Sequence, residues 1–303
     1  MVELRWRVME AGDLPQCLAL LPTSLTGAAL VGMAAATRAW LELLDHPGFV
    51  SAVVTFENSP KVLGFGAAAF VSSEFARLEA SQPRPGINDR FIHAYLSGAG
   101  VCLTPSQIGV ANASDGLEQM QLLGDLSAHL DPALHIEGQM VLMGALVELT
   151  RGYRLRGSFG QIISDTQRRF ATSSGAQVVA LSDGSCFYRA DRESLISNPG
   201  GIGVVLFRYR DPMLRLRETD QALLKVALTG ATDEHIVLIL GLSTSAVKAR
   251  WRALFQRIER LRLGWWPDQD KATRGPQRRH LLLAYCRDHP EELRPYAWRE
   301  ASR

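Results

Sequence analysis

Cysteine is scarce. The chain of 303 residues holds four, Cys17, Cys102, Cys186 and Cys286, each standing alone. Without a CxxC pair there is neither the spacing of a thiolate zinc site nor that of a dithiol redox motif, and isolated thiols suit a reducing compartment, so a cytoplasmic setting is expected. Long apolar runs are lacking too. Residues 141–149 and 236–242 form two of the longest, well short of the ~18 residues a membrane helix needs, and no membrane association is expected. Glu3, Arg5, Arg7 and Glu10 precede any apolar run, which is not the basic-then-apolar order of a secretory leader. No Gly-x-Ser-x-Gly elbow and no HExxH pair occurs, so no local motif marks a serine nucleophile or a zinc protease. A phospho-receiver would need paired acidic residues near an early strand end, where this chain has Ala11-Gly12-Asp13. No catalytic constellation, metal site or cofactor is read from these motifs.

What is present is an ordinary globular composition, with 47% hydrophobic and 21% charged residues, in a chain long enough for two domains. The net charge of +2 conceals a split. Residues 1–206 carry 14 Lys and Arg against 19 Asp and Glu, whereas residues 207–303 carry 19 against 12. A basic C-terminal third is an electrostatic footprint for a polyanion, although many basic tails are merely solvated.

Residues 216–258 read as three short helices. Leu223, Leu224, Val226 and Ala227 give the first an apolar stripe that ends before Gly230. Thr232 caps the second, with Asp233 and Glu234 in its first turn and Ile236, Val237 and Leu240 on its inner side. Gly241-Leu242-Ser243 forms a turn and a cap. On the third helix Val247, Trp251, Leu254 and Ile258 share one face at spacings of four, three and four. Ser245, Lys248, Ala249, Arg252 and Gln256 point away, flanked by Arg250 and Arg257. Small hydrogen-bonding residues backed by cations suit a major groove; a solvated basic face on a bundle is the alternative.

This stretch resembles the LuxR-type helix-turn-helix through Gly230, Ile236, Leu240, Gly241, Leu242, Ser243, Val247 and Lys248. The resemblance implies DNA contacts from Lys248 and Arg250, with Ser243, Thr244 and Ser245 near the backbone or base edges. Three positions depart from the family pattern: Arg217 for a capping Thr, Val237 for Ala and His235 for Glu. The first points to a helix opening two residues later, at Thr219. A loop follows over residues 264–276, then a last helix over residues 277–286 with Leu281, Leu282 and Leu283, either docked on its own domain or forming a dimer contact.

The N-terminal two-thirds mix strand and helix. Strands are expected at residues 4–9, 50–56, 62–71, 159–164, 176–181 and 203–209, and helices at 11–21, 34–44, 138–150 and 167–174, with residues 76–110, rich in Pro, Gly and Ser, as an insertion. The order resembles the GNAT acyltransferase fold, including Phe170 to Ala180 as a last helix entering a strand. That family holds the pyrophosphate of acetyl-CoA on amides at a helix N-terminus through a small-residue loop. The best candidate here, His135-Ile136-Glu137-Gly138-Gln139-Met140, keeps only Gly138. Residues 151–157, with Arg151, Arg154 and Arg156, offer an anion site or a solvated basic turn.

The expected fold class is an α/β N-terminal domain with a GNAT-like mixed sheet plus an all-α helix-turn-helix C-terminal domain. The expected domains are 1–210, 211–264 and 265–303. The leading functional expectation is a DNA-binding transcriptional regulator that acts as a homodimer on double-stranded DNA. Its DNA-contacting residues would be Thr232, Ser243, Thr244, Ser245, Lys248, Ala249, Arg250 and Arg252, and the N-terminal domain would sense a small-molecule or protein effector. The alternative is an acyl-CoA-dependent N-acetyltransferase with a C-terminal helical interaction module. A third reading is a sigma-factor-like or purely protein-binding helix-turn-helix.

Overall fold

A mixed seven-stranded sheet orders the first part of the chain as β1-β2-β3-β4-β5-β7-β6. The strands are β1 (Leu4–Val8), β2 (Phe49–Phe56), β3 (Val62–Val71), β4 (Leu117–Leu122), β5 (Leu155–Ile162), β6 (Gln177–Ala180) and β7 (Cys186–Asp191). Every neighbouring pair is antiparallel except β4 and β5, which run parallel. The computed structural model describes residues 3–22, 25–122, 126–127, 129–196, 202–266 and 275–298. The chain divides into two compact units, Met1–Arg208 and Tyr209–Arg303. No helix among the described residues is long and apolar enough to cross a membrane.

In the first unit the helices are α1 (Leu14–Leu20), α2 (Met33–Leu44), α3 (Ser73–Ser81), α4 (Ile87–Leu96), α5 (Pro105–Asn112), α6 (Pro132–Thr150), α7 (Asp165–Ser173) and α8 (Arg192–Ile196). β3 is buried along its whole length, which is why its sequence is a continuous apolar run without alternation. Trp40, Phe65, Phe91, Phe159 and Phe187 meet in one core with α1, α2 and α4, and Trp40 Nε1 donates to the Thr26 carbonyl at 2.9 Å. α6 crosses β1, β2 and β3. Gly66 lets it approach, since a Cβ there would lie 3.2 Å from Leu142 Cδ1.

Residues 76–110, expected as an insertion, are largely helical: Ser72 caps α3, Thr104 caps α5 with Gln107 reaching back, and Pro105 opens α5, so the Pro and Ser residues punctuate helices. Two expectations for this unit are corrected. α6 begins at Pro132, ahead of the expected residue 138, because Asp131 caps it. Residues 203–209 are not a strand. Ile202–Phe207 is a 3-10 helix, for β5 already has β4 and β7 as neighbours, and Phe207 packs with Phe70, Leu117 and Leu155.

The second unit is helical: α9 (Glu218–Leu228), α10 (Asp233–Leu240), α11 (Thr244–Arg260) and α12 (Gly275–Asp288). Val247, Trp251, Leu254 and Ile258 are buried, as their spacing requires. Thr232 accepts from the His235 amide at 3.4 Å and Ser243 from the Ala246 amide at 3.2 Å. Gly241 closes α10 at φ 62°, a left-handed conformation that favours glycine. α9 opens at Glu218, not at Thr219, because Asp220 accepts the Arg217 amide at 2.8 Å. Leu282, Leu283 and Cys286 of α12 are buried in the core formed by α9, α10 and α11. Of the two expected roles for this helix, docking on its own domain and a dimer contact, the burial of these residues matches the first. Of the expected 264–276 loop, residues 267–274 lie outside the described residues.

Candidate functional site

β4 reads Leu-Glu-Gln-Met-Gln-Leu, and all six residues are buried. Alternation sends Glu118 and Met120 to one face of the sheet and Gln119 and Gln121 to the other. On the first face Glu118 sits opposite Gly157 of β5. Glu118 Oε1 accepts from Arg156 Nε at 2.8 Å and Arg189 Nη2 at 3.2 Å, and Oε2 accepts from Arg189 Nη1 at 3.3 Å. Asp191 holds the same Arg189 at 2.7 Å. Burial works against the Arg189 charge, but its hydrogen bond to Glu118 and the Glu118 and Asp191 charges outweigh it and raise its pKa. Gly157 makes room for the cluster, since a Cβ there would lie 2.6 Å from Glu118 Oε2.

Above this cluster, between α3 and the ends of β4, β5, β7 and α8, opens a cleft of about 1250 Å³. Its rim bears Glu74, Asp115 and Glu193, as well as Arg77 and Arg192, and neither arginine has an ion-pair partner among the described residues. Cation and anion are therefore both presented.

On the opposite face Gln121 Nε2 donates to Gln119 Oε1 at 3.1 Å. Gln119 Nε2 and Gln121 Oε1 are buried without a hydrogen-bond partner, leaving one donor and one acceptor open on the same strand. Ser158 and Gly160 of β5 lie beside them in register, and Tyr188 of β7 pairs with Gly160. Burial pushes the Tyr188 phenol up, partly offset by its hydrogen bond with Ser158. Beyond Gln121 and Gly160 the parallel strands part company. Leu122 stays with Ala67 and Leu126 bridges Gly64, while Gln161 and Ile162 pair with β7.

The chain next reaches the start of α6, the helix end where the family resemblance puts a pyrophosphate. Every first-turn donor there is accounted for. Pro132 has no N–H; the Ala133 and Leu134 amides both donate to Asp131 Oδ1 at 3.0 Å; and the His135 amide donates to the Asp131 carbonyl at 2.9 Å. A carboxylate of the chain itself occupies this anion seat, so the residues present do not fit a diphosphate. The loop candidate His135–Met140 is corrected as well, because these residues lie inside α6. Gly138 is small because Leu126 packs on it, where a Cβ would lie 3.1 Å from Leu126 Cδ1. Of the proposed basic turn, Arg154 and Arg156 line the cleft, and Arg156 is engaged by Glu118.

The expected DNA-contacting residues all lie on the second unit. Thr232 and Ser243 serve as caps, Thr244, Ser245, Lys248, Ala249 and Arg252 are exposed, and Arg250 is half-buried. Arg257 does not reach outward, since its guanidinium is bound to Asp220 at 2.6 Å. Elsewhere Cys102 Sγ lies 3.2 Å from His46 Nδ1. Burial pushes that thiol up to about 12, and the His46 nitrogen already accepts the Gly48 amide at 3.1 Å, so the pair is structural.

No family model matches the chain, and no curated protein matches it either. Solved structures do. The C-terminal condensation domain of Ebony, in complex with beta-alanyl-dopamine, is 13% identical, with 63% of this chain and 100% of that chain covered at a TM-score of 0.38. FeeM, an N-acyl amino acid synthase from uncultured soil microbes, is 8% identical over 67% of this chain and 98% of its own, with a TM-score of 0.39. NAA60 of Arabidopsis thaliana, in complex with acetyl-CoA, is 11% identical over 62% and 96%, with a TM-score of 0.37. These likenesses concern the fold alone, a mixed seven-stranded sheet. None of the three is named as a DNA-binding protein or a regulator. The expectation of a LuxR-type transcription regulator, together with its double-stranded DNA partner and its homodimer, is corrected: the matching structures include ones named as an acetyltransferase, an acyl synthase and a condensation domain.

Proposed function

We propose that the unit Met1–Arg208 transfers an acyl group from a thioester to an amine that also carries an anionic group. Fold alone would not warrant this reading. The observation that carries it is the mixed-charge cleft built around Glu118 at the seam between the parallel strands β4 and β5. Glu118, bound by Arg156 and Arg189, receives the amine end of the acceptor. Arg77 and Arg192 on the rim receive its anionic end, where a guanidinium binds a carboxylate bidentately. In the transfer the amine nitrogen bonds to the acyl carbon and the carbon–sulfur bond breaks. The proton released by nitrogen goes to solvent or a rim carboxylate, and the thiolate takes a proton from water.

A mass-spectrometric assay of the full chain, with acyl-pantetheine and acyl-CoA as donors and a panel of amino acids and plain amines as acceptors, tests the reading. N-acylated amino acids are expected. Replacing Arg77 and Arg192 together by alanine is expected to raise KM for amino acids by about tenfold or more, the worth of ~1.5–3 kcal/mol in a charge-assisted hydrogen bond, and to leave plain amines unaffected. Absence of product with every pair overturns the proposal.

A further inference from the structure

We infer that the acceptor is an amino acid with an apolar side chain, which a second cavity beside the charged cleft receives. This inference rests on the acyl-transfer reading and adds the class of acceptor.

This cavity, of about 320 Å³, opens between α5, the end of β3 and the start of β4. It shares Ser73, Asp115, Glu118 and Arg156 with the charged cleft, so the two spaces meet at the carboxylate that receives the amine. Arg77 and Arg192 line the cleft but not the cavity, which is therefore a seat apart from that of the anionic end. Much of its lining is apolar. Val71, Leu103 and Leu117 are buried, and Val110 of α5 is 56% exposed. A lone exposed valine is ordinary on a surface, but one lining the same space as three buried aliphatic residues leaves apolar area for a ligand to cover. α5 carries no charged residue, and its polar groups are spent locally. Gln107 Oε1 accepts from the Thr104 amide and hydroxyl, both at 2.9 Å, and Ser114 Oγ donates to the Val110 carbonyl at 2.8 Å. α3 and α5 both lie between β3 and β4 in the chain, so one stretch supplies Arg77 for the anion and Val110 for the side chain. A carbon bearing an amine, an anionic group and a side chain is then held at three seats, the arrangement that separates one mirror form from the other.

The experiment titrates the full chain by calorimetry with alanine, leucine, phenylalanine, aspartate and lysine in the absence of a donor. The same amino acids are then compared in kcat/KM as acceptors, with acyl-CoA and acyl-pantetheine as donors. Leucine and phenylalanine are expected to exceed alanine by about tenfold or more, since each apolar carbon taken from water adds to affinity. Aspartate and lysine, which would carry a charge into an apolar space, are expected to fall below leucine by at least as much. The two mirror forms of leucine are expected to differ by about tenfold or more. Val110→Trp fills the cavity from an exposed position and is expected to cancel the preference for leucine over alanine while the thermal midpoint holds. No preference for leucine over alanine in either measurement overturns the inference, as does a Val110→Trp protein that prefers leucine as strongly as the parent. Amino acids acylated without regard to side chain would overturn it and leave acyl transfer standing. Leucine bound with the stated preference, but with no product from either donor, would sustain the side-chain seat and defeat acyl transfer.

Discussion

Replacing Glu118 by alanine strips a carboxylate, 1% exposed, from two guanidiniums, and the cost divides unequally between them. Arg156 is 42% exposed, so water reclaims most of its charge and that pair contributes about 0–1 kcal/mol. Arg189 is 20% exposed and loses two hydrogen bonds, but it keeps Asp191 at 2.7 Å, which holds the loss near the lower end of ~1.5–3 kcal/mol. The one methylene removed adds about 0.8 kcal/mol. Together these make about 2–4 kcal/mol, or a fall of roughly 5–12 °C in the thermal midpoint for a unit of this size. Glu118→Gln keeps the shape and one acceptor oxygen but turns an N–H group toward guanidinium donors, so about half that loss is expected. Differential scanning calorimetry of the full chain measures both. An E118A protein within about 0.5 kcal/mol of the parent, the range of ordinary surface changes, would refute the reasoning, for it would mean that the cluster behaves as if exposed.

Gly116 sits at φ 93°, and a Cβ there would lie 2.8 Å from the Arg154 carbonyl oxygen; Gly116→Ala is expected to cost about 2–4 kcal/mol in urea titration, combining left-handed strain with a backbone clash. Asp13, held by Arg7 at 2.6 Å, has its pKa lowered by that hydrogen bond. Its stabilisation is therefore present above the ordinary carboxylate value and is lost as pH falls through the lower folded value. Asp13→Asn is expected to flatten the acid limb of the stability profile below about pH 4, and an unchanged limb would refute this. In the second unit Asp220→Asn leaves Arg257 without its carboxylate and is expected to cost about 1–3 kcal/mol by urea unfolding. Cys102, pushed up to about 12 by burial, should resist alkylation at pH 8 in the native protein and react at once in denaturant; equal rates in both would contradict its placement.

Much of the fold is legible where the signals are local. The β2–β3 hairpin follows from two apolar runs around Glu57 to Lys61, and the buried stripe of α11 from its helical spacing. β4 is not legible. Its polar alternation reads as surface, yet it is central, because its neighbours come from β3 and from β5, far along the chain. Glu118 carries no local sign either, since its arginines lie 38 and 71 residues away. β7 carries no comparable local signal, and the apolar residues 203–207, which look like a strand, curl into a 3-10 helix because no sheet edge is left for them beside β5. The DNA reading rested on a local helix pattern. The helices form, but which partner they meet is not a property of their spacing.

The two ends of the second unit are tied together. Met213 and Leu214 donate their amides to the Glu292 carboxylate at 2.7 and 2.9 Å, and Gln221 Nε2 donates to the Glu292 and Arg294 carbonyls at 3.0 and 2.8 Å. A force applied between residues 209 and 298 would therefore load these bonds before it reached any helix. They would have to shear together rather than peel one by one, so the bundle should yield in a single abrupt step. A chain shortened to end at residue 264 would forfeit that latch along with Leu282 and Leu283 of the core.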